Sequence, residues 1–290
     1  MKKQVKLLIM LQNWLDFINN KDKKGDKYSN LSPFMLYYMH EWRRKMISIK
    51  NVSKSYDKKN RIINNLNLEI NDGEIFGFLG PNGAGKSTTI KMITGILDID
   101  EGDILINNKS IIKEPNEAKK CFGYVPDNPD MFLKLKGIEY LNFLADMYEV
   151  GLEERKQKIE ELTDLFEIND VLNDKIQSYS HGMRQKIVII GSLLHEPKNW
   201  IIDEPMTGLD PKSTYELKQI MKDITKKNHA VFFSTHILDV AEKLCDKIGI
   251  INKGRLLFIG TLDEMRKELK ENKSLEELFM EITENDKKNN

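Results

Sequence analysis

The sequence predicts an α/β fold, and three observations point to it. Short solid apolar runs at Ile75–Leu79 and at residues 231–233 suit buried strands, a glycine loop directly follows the first of them, and the stretches between carry helical spacing. Taken in order, Ile47 and Ile49 alternate with polar neighbours, as do Leu66, Leu68 and Ile70, and both segments read as half-exposed edge strands. The buried run ending at Leu79 comes next, then the glycine loop, then a helix over about residues 86–96. Residues 137–172 contain no strand-like run. Ile138, Leu141, Leu144, Ala145 and Tyr148, then Ile159, Leu162, Leu165 and Phe166, recur at helical spacing, so a helical lobe of about residues 128–180 interrupts the sheet domain. A further helix starts near Gly182, a strand covers residues 200–202, a helix follows Pro211, a strand covers 230–234, and paired strands flank Asn252, Lys253 and Gly254. Sheets of this alternating kind bind ligands at the carboxyl ends of their strands.

Bulk properties narrow the function classes. The 290 residues can bury a sizeable core as one composite domain or two ordinary ones. Lys plus Arg equals Asp plus Glu at 45 each, so no basic excess points to nucleic acid and none is expected as a partner. Cys121 and Cys245 lie far apart without metal-ligand spacing, which excludes a disulfide framework and fits a reducing, cytosolic compartment. A membrane span needs about 18 consecutive apolar residues, and no run here approaches that length. The first 45 residues stand apart as an extension: a polar, lysine-rich stretch at 19–30 separates two short apolar segments, 7–18 and 31–42. Gln12, Asn13 and Asp16 break the first of these, which argues against a secretory signal. Two readings stay open, a true start at Met46 and a short amphipathic element that touches a membrane or partner.

Gly80, Pro81, Asn82, Gly83, Ala84, Gly85, Lys86 and Ser87, with Thr88 beyond them, follow a buried strand and open a helix. In that context the glycines let successive N–H groups curl toward phosphate oxygens, and the helix N-terminus adds a favourable dipole. Lys86 is placed to reach the β and γ phosphates of a nucleoside triphosphate, and the Ser87 hydroxyl to ligate Mg²⁺. Phosphoryl transfer also requires a carboxylate for the metal and a group that orients water. Asp203 and Glu204, at the end of the apolar strand Trp200, Ile201, Ile202, supply both: Asp203 in the Mg²⁺ shell and Glu204 as the residue that polarises water.

With these residues in place the chain resembles the ATP-binding cassette family, and within it the nucleotide-binding subunits of bacterial exporters of antibiotics or sodium. The resemblance covers residues 46–283. It rests on further motifs in the same order: Tyr179, Ser180, His181, Gly182, Met183 at the family signature, Gly208, Leu209, Asp210 at the D-loop, and Ser234, Thr235, His236 at the switch histidine. It implies a P-loop NTPase sheet core with an antiparallel edge sheet over residues 46–260, followed by a helical tail at 261–290. It implies ATP hydrolysis with Mg²⁺, and a head-to-tail homodimer or heterodimer in which Ser180 and Gly182 of one subunit close over ATP held by the other. His236 would then bridge the γ phosphate, Glu204 and the opposite Asp210, making Glu204, His236 and Lys86 the catalytic set. Tyr56 resembles the aromatic that stacks on adenine. A membrane permease would be the partner, placing the chain on the cytoplasmic face of the membrane and in the cytosol when unbound.

Two positions depart from the family pattern. Asp127 stands where Gln is usual; its carboxylate still offers oxygen to Mg²⁺, but adds negative charge beside Asp203, Glu204 and triphosphate. His181 and Met183 replace the signature Gly and Gln, while Ser180 and Gly182 remain. In relatives the loop holding Asn128, Pro129, Met131, Phe132 and Leu133 receives the permease, and in the tail Leu275, Leu278 and Phe279 form an apolar stripe suited to docking on the chain's own domain or on a partner. The competing reading is a cassette ATPase that acts on nucleic acid or ribosomes. The short stretch between Lys86 and Asp203 leaves no room for long coiled coils, and only one cassette is present.

Overall fold

The computed structural model describes residues 45–57, 60–268 and 274–288. The segment 1–44, with both apolar stretches and the question of an extension, lies outside the described residues. Met46 falls inside the first strand rather than ahead of it, buried, with its carbonyl accepting from Asn107 N–H at 2.8 Å.

Among the described residues ten strands form two sheets. Strands β1 (Lys45–Asp57), β2 (Asn60–Asn71), β4 (Glu101–Ile106) and β5 (Lys109–Ser110) build an antiparallel sheet in the order β2-β1-β4-β5. The larger sheet runs β10-β9-β3-β8-β7-β6, from β3 (Ile75–Leu79), β6 (Phe122–Val125), β7 (Asn199–Asp203), β8 (Ala230–Thr235), β9 (Lys247–Asn252) and β10 (Arg255–Gly260). Its inner strands are parallel; β10 alone is antiparallel, paired with β9. The antiparallel edge sheet implied by the resemblance is present, and it includes β4, which local pattern does not mark because Asp98, Asp100, Glu101 and Asp103 make its approach read as loop.

Period-2 alternation sorts the strand residues between two cores. Ile75, Trp200, Ile202, Val231 and Phe233 face one side with the helical lobe; Phe76, Phe78, Ile201 and Phe232 face the other with the antiparallel sheet. Helix α1 (Lys86–Ile93) packs its Ile90, Met92 and Ile93 on this second side, ending three residues earlier than predicted at Thr94 and Gly95. Helices α2 (Pro115–Lys119), α3 (Gly137–Met147) and α4 (Leu152–Leu165) follow, the last two forming the predicted lobe. Helix α5 (His181–Leu193) joins lobe to sheet: Trp200 on β7 donates its indole N–H to Ser192 Oγ at 2.9 Å. His195, beyond α5, stacks on Tyr148 at 3.6 Å and engages Phe122 O of β6 through Nε2 at 3.2 Å.

Helices α6 (Pro211–Lys226) and α7 (Leu238–Leu244) lead to the tail helices α8 (Leu262–Glu268) and α9 (Leu275–Lys288). The alternative left open by the tail's apolar stripe resolves toward its own domain. Leu275 and Leu278 are fully buried against Leu79, Ala241, Ile248, Ile250 and Met265, with Phe279 partly buried beside them. No helix among the described residues is long and apolar enough to cross a membrane.

Deleting buried leucine atoms costs about 2–5 kcal/mol. Leu278→Ala therefore lowers the unfolding free energy by an amount in that range in denaturant titrations of the isolated chain; an unchanged midpoint would show that α9 does not dock there. Burial pushes the His195 imidazole down to about 4. With the folded pKa below the unfolded one, stability is lost as pH falls from about 6.5 toward 4, since the unfolded chain takes up the proton first. The melting temperature of the native protein falls through that window more steeply than that of His195→Phe, which keeps the stack without the titrating ring.

A candidate nucleotide site at the strand ends

Three parallel strands set the site. Their register pairs Leu79 with Thr235 and Asp203 with Ser234, so the phosphate loop, the acidic pair and the switch segment emerge at one edge of the sheet. The loop curls because Gly85 sits at φ +111°, where a side chain is strained; a Cβ there would also lie 2.6 Å from Ile63 Cδ1 of β2. Behind the loop, the β9–β10 turn donates Gly254 N–H to Ala84 O at 2.8 Å.

Helix starts are treated in two ways. Ser180 caps α5 by accepting from Met183 N at 3.3 Å, and Asp210 caps α6 by accepting from Ser213 N at 2.9 Å, with Pro211 at the first helical position. The start of α1 has no side-chain cap, and no hydrogen bond among the described residues takes the N–H groups of Lys86, Ser87 or Thr88. Those donors, with the positive end of the helix dipole, fit phosphate oxygens.

The charged groups meet at Lys86. Its ammonium, 5% exposed, donates to Gly80 O at 2.8 Å and lies 3.5 Å from Glu204 Oε1. The other Glu204 oxygen, Oε2, is 2.8 Å from His236 Nδ1. Glu204 itself takes a left-handed backbone, φ +49°, which costs a non-glycine residue about 1–2 kcal/mol. Its N–H donates to Ser234 Oγ at 3.0 Å, and that same hydroxyl donates to Asp203 Oδ1 at 2.5 Å. Burial raises the Asp203 carboxyl above its usual range; hydrogen bonds from Ser234 and Ser87 oppose the rise, while Asp127 and Glu204 add to it. Five oxygen-bearing side chains, Ser87, Asp127, Asp203, Glu204 and Ser234, thus gather beside the loop, and carboxylates and hydroxyls are hard donors of the kind Mg²⁺ takes. Among the described residues no three His, Cys, Asp or Glu side chains form a metal cage.

The structure brings Lys86, Ser87, Asp127, Asp203, Glu204 and His236 together. Tyr56, on β1, is 62% exposed. Ser180 and Gly182 go elsewhere: no hydrogen bond joins them to their own phosphate loop, and Gly182 abuts Gly208 O of the D-loop, against which His181 also packs. Tyr179 is an anchor, buried, with its hydroxyl donating to Val171 O at 2.6 Å. Asp210 is held well below the usual carboxylate range, first by Lys186 at 2.8 Å and then by Ser213.

Sequence reading passes over Lys186, Arg184 and Asp130. Arg184 bonds Asp130 at 2.7 Å and the carbonyls of Ile176 and Gln177, tying the loop after β6 to the start of α5. It names Ser234 only as part of a motif, although a hydroxyl closing the apolar run Ala230, Val231, Phe232, Phe233 is the polar outlier of that strand. Phe132 of the loop is 46% exposed and contacts Tyr140 and Phe143, whereas Leu133 packs into the lobe core.

The family model described as ABC transporter matches residues 63–207. The chain is 41% identical to the ABC transporter ATP-binding protein YhcH of Bacillus subtilis over 76% of its length and 71% of the relative. It is 36% identical to the linearmycin resistance ATP-binding protein LnrL of the same organism, over 76% and 70%, and 34% identical to its ABC-type transporter ATP-binding protein EcsA, over 83% and 98%. Among solved structures, an ATP-binding subunit of an ABC transporter superposes with a TM-score of 0.79 at 33% identity, covering 82% of this chain and 99% of that one. A dimeric ATP-binding cassette with ADP and Pi bound superposes at 0.69 and 26% identity, over 75% and 99%.

Asp127 adds a negative charge to a site that already raises Asp203. ATP binding by the native protein therefore depends more steeply on Mg²⁺ than binding by Asp127→Gln, measured by titration at fixed ionic strength; identical dependence removes Asp127 from the metal's surroundings.

Proposed function

This chain belongs to the ABC transporter family, as an ATP-binding subunit that hydrolyses ATP, and on that premise we propose that two such subunits close head to tail on ATP to drive a separate membrane permease, in export. The meeting of Lys86, Glu204 and His236 at the mouth of the phosphate loop carries the reading. There the phosphate-binding cation, the carboxylate and the switch imidazole already touch.

The free amides of α1 and the Lys86 ammonium bind the β and γ phosphates, while Gly80, Pro81, Asn82, Gly83, Ala84 and Gly85 wrap them. Ser87 and Asp203, with Asp127 nearby, hold Mg²⁺, which when bound neutralises charge on the phosphate oxygens. Glu204 polarises the attacking water, oriented by His236 on one oxygen and restrained by Lys86 on the other. Tyr56 stacks on the adenine.

Ser180 and Gly182 sit at the capped start of α5 and face the D-loop of their own chain, so they serve the nucleotide of a second subunit, with Asp210 beside them. Export is supported by the likeness to a linearmycin resistance ATP-binding protein. The permease contacts the loop at 127–133 and places the chain at the cytoplasmic face of the membrane; the nucleotide-binding domain spans residues 46–260, and no nucleic acid takes part.

In Glu204→Gln the carboxylate that polarises water is gone while the phosphate loop is intact. Size-exclusion chromatography with ATP and Mg²⁺ should then find a stable dimer and turnover should fall by about 10²–10⁴-fold. A monomer under those conditions contradicts the head-to-tail site. Capture from solubilised membranes should recover a permease, and recovery of ribosomes instead contradicts the transport role.

A further inference from the structure

The geometry points to Ser234 as a positioning residue for ATP hydrolysis, whose single hydroxyl sets both the Asp203 carboxylate and the backbone of Glu204. This rests on the roles proposed above for those two acids. Ser234 is fully buried on β8, directly across the parallel register from Asp203 on β7. A hydroxyl has one proton to give and lone pairs to accept with, and here both functions are used. The proton goes to Asp203 Oδ1 at 2.5 Å, and a lone pair takes the Glu204 N–H at 3.0 Å.

Two consequences follow from this bridge. Hydrogen bonding to Oδ1 fixes the carboxylate plane of Asp203, so its remaining lone pairs keep one direction toward Ser87 and the metal's surroundings. At Glu204 the bridge holds a backbone that φ +49° makes unfavourable for a residue with a side chain. From that backbone the carboxylate spans Lys86 and His236, with Oε1 3.5 Å from Nζ and Oε2 2.8 Å from Nδ1. A relaxed backbone would swing both oxygens off these partners. The strand order makes Ser234 the only described side chain that hydrogen-bonds both acids in this way: Lys86 and His236 reach Glu204 alone, and they do so at its side chain. Nothing else about the position asks for a hydroxyl, since Ala230, Val231, Phe232 and Phe233 before it are apolar and buried.

Removing the hydroxyl leaves the phosphate loop, Lys86 and Tyr56 untouched. Ser234→Ala in the full-length chain should keep its affinity for ATP and its KM within about twofold, while kcat falls about 10–100-fold, the loss typical of removing a partner that orients a metal-site ligand. The Mg²⁺ concentration for half-maximal turnover should rise. Independently of turnover, amide hydrogen exchange at Glu204 should speed up severalfold without nucleotide. Ser234→Thr, which restores the hydroxyl, should recover exchange protection and most of kcat. Ser234→Cys, which fills the volume with a weak hydrogen-bonding group, should fall between the two. Native kcat and native exchange in Ser234→Ala overturn the proposal, and so does a cysteine variant as active as the native protein. Loss of kcat matched by an equal loss of ATP affinity in all three variants also overturns it, since that marks general damage. Glu204→Gln in parallel separates the two levels: if it abolishes turnover while Ser234→Ala does not, positioning by Ser234 fails and the site reading stands; if Glu204→Gln turns over normally, the site reading fails.

Discussion

The parallel register of β3, β8 and β7 is the constraint on which the site depends. It brings Leu79, Thr235, Ser234 and Asp203 level at one edge, so a phosphate loop, a switch histidine and an acidic pair from distant parts of the chain share a few ångströms of space. The strands stay level because their alternate side chains lock into separate cores on the two faces; a shift by one residue would exchange Trp200 and Ile202 with Ile201 and bring each to the wrong face. The indole of Trp200 adds a polar tie to Ser192, so the strand carrying Asp203 is fixed to the helix that carries the signature. Chemistry at the strand ends is in this sense a product of packing beneath them.

Within that frame the electrostatics are arranged as opposed demands. Asp203, Glu204 and Asp127 gather negative charge where triphosphate must also enter, and burial makes the ionised form of Asp203 costly. Lys86 is the one described cation in contact with this group, and it divides its donors between loop carbonyls and Glu204. A divalent cation entering with nucleotide would relieve this repulsion under the proposed function, and Asp127 in place of an amide adds to the charge to be offset.

Helix capping separates the motifs by task. At Ser180 and Asp210 the side chain satisfies its own helix, and both residues are exposed. At Gly85 the cap is withheld and the donors of α1 remain open to a ligand. Lys186 holds Asp210, and Arg184 holds Asp130, so two side chains within one turn of α5 tie the D-loop and the loop after β6 to the same helix.

Much of this was legible in the residues alone. The glycine loop, the acidic strand end, the inserted lobe and the order of motifs depend on local spacing and local backbone preference, and these are written into neighbouring residues whatever the chain does at long range. What only the tertiary structure decided are pairings between residues far apart in sequence: Ser234 with Asp203 and Glu204, Lys186 with Asp210, Arg184 with Asp130, and the tail on the Leu79, Ile248 and Ile250 face. Strand β4 belongs with these, since its acidic approach reads as loop until β1 supplies a partner for its backbone. The physical reason is common to all of them: a side chain's partner is set by sheet register and helix packing, which arise from burial summed over the whole core and leave no local signature.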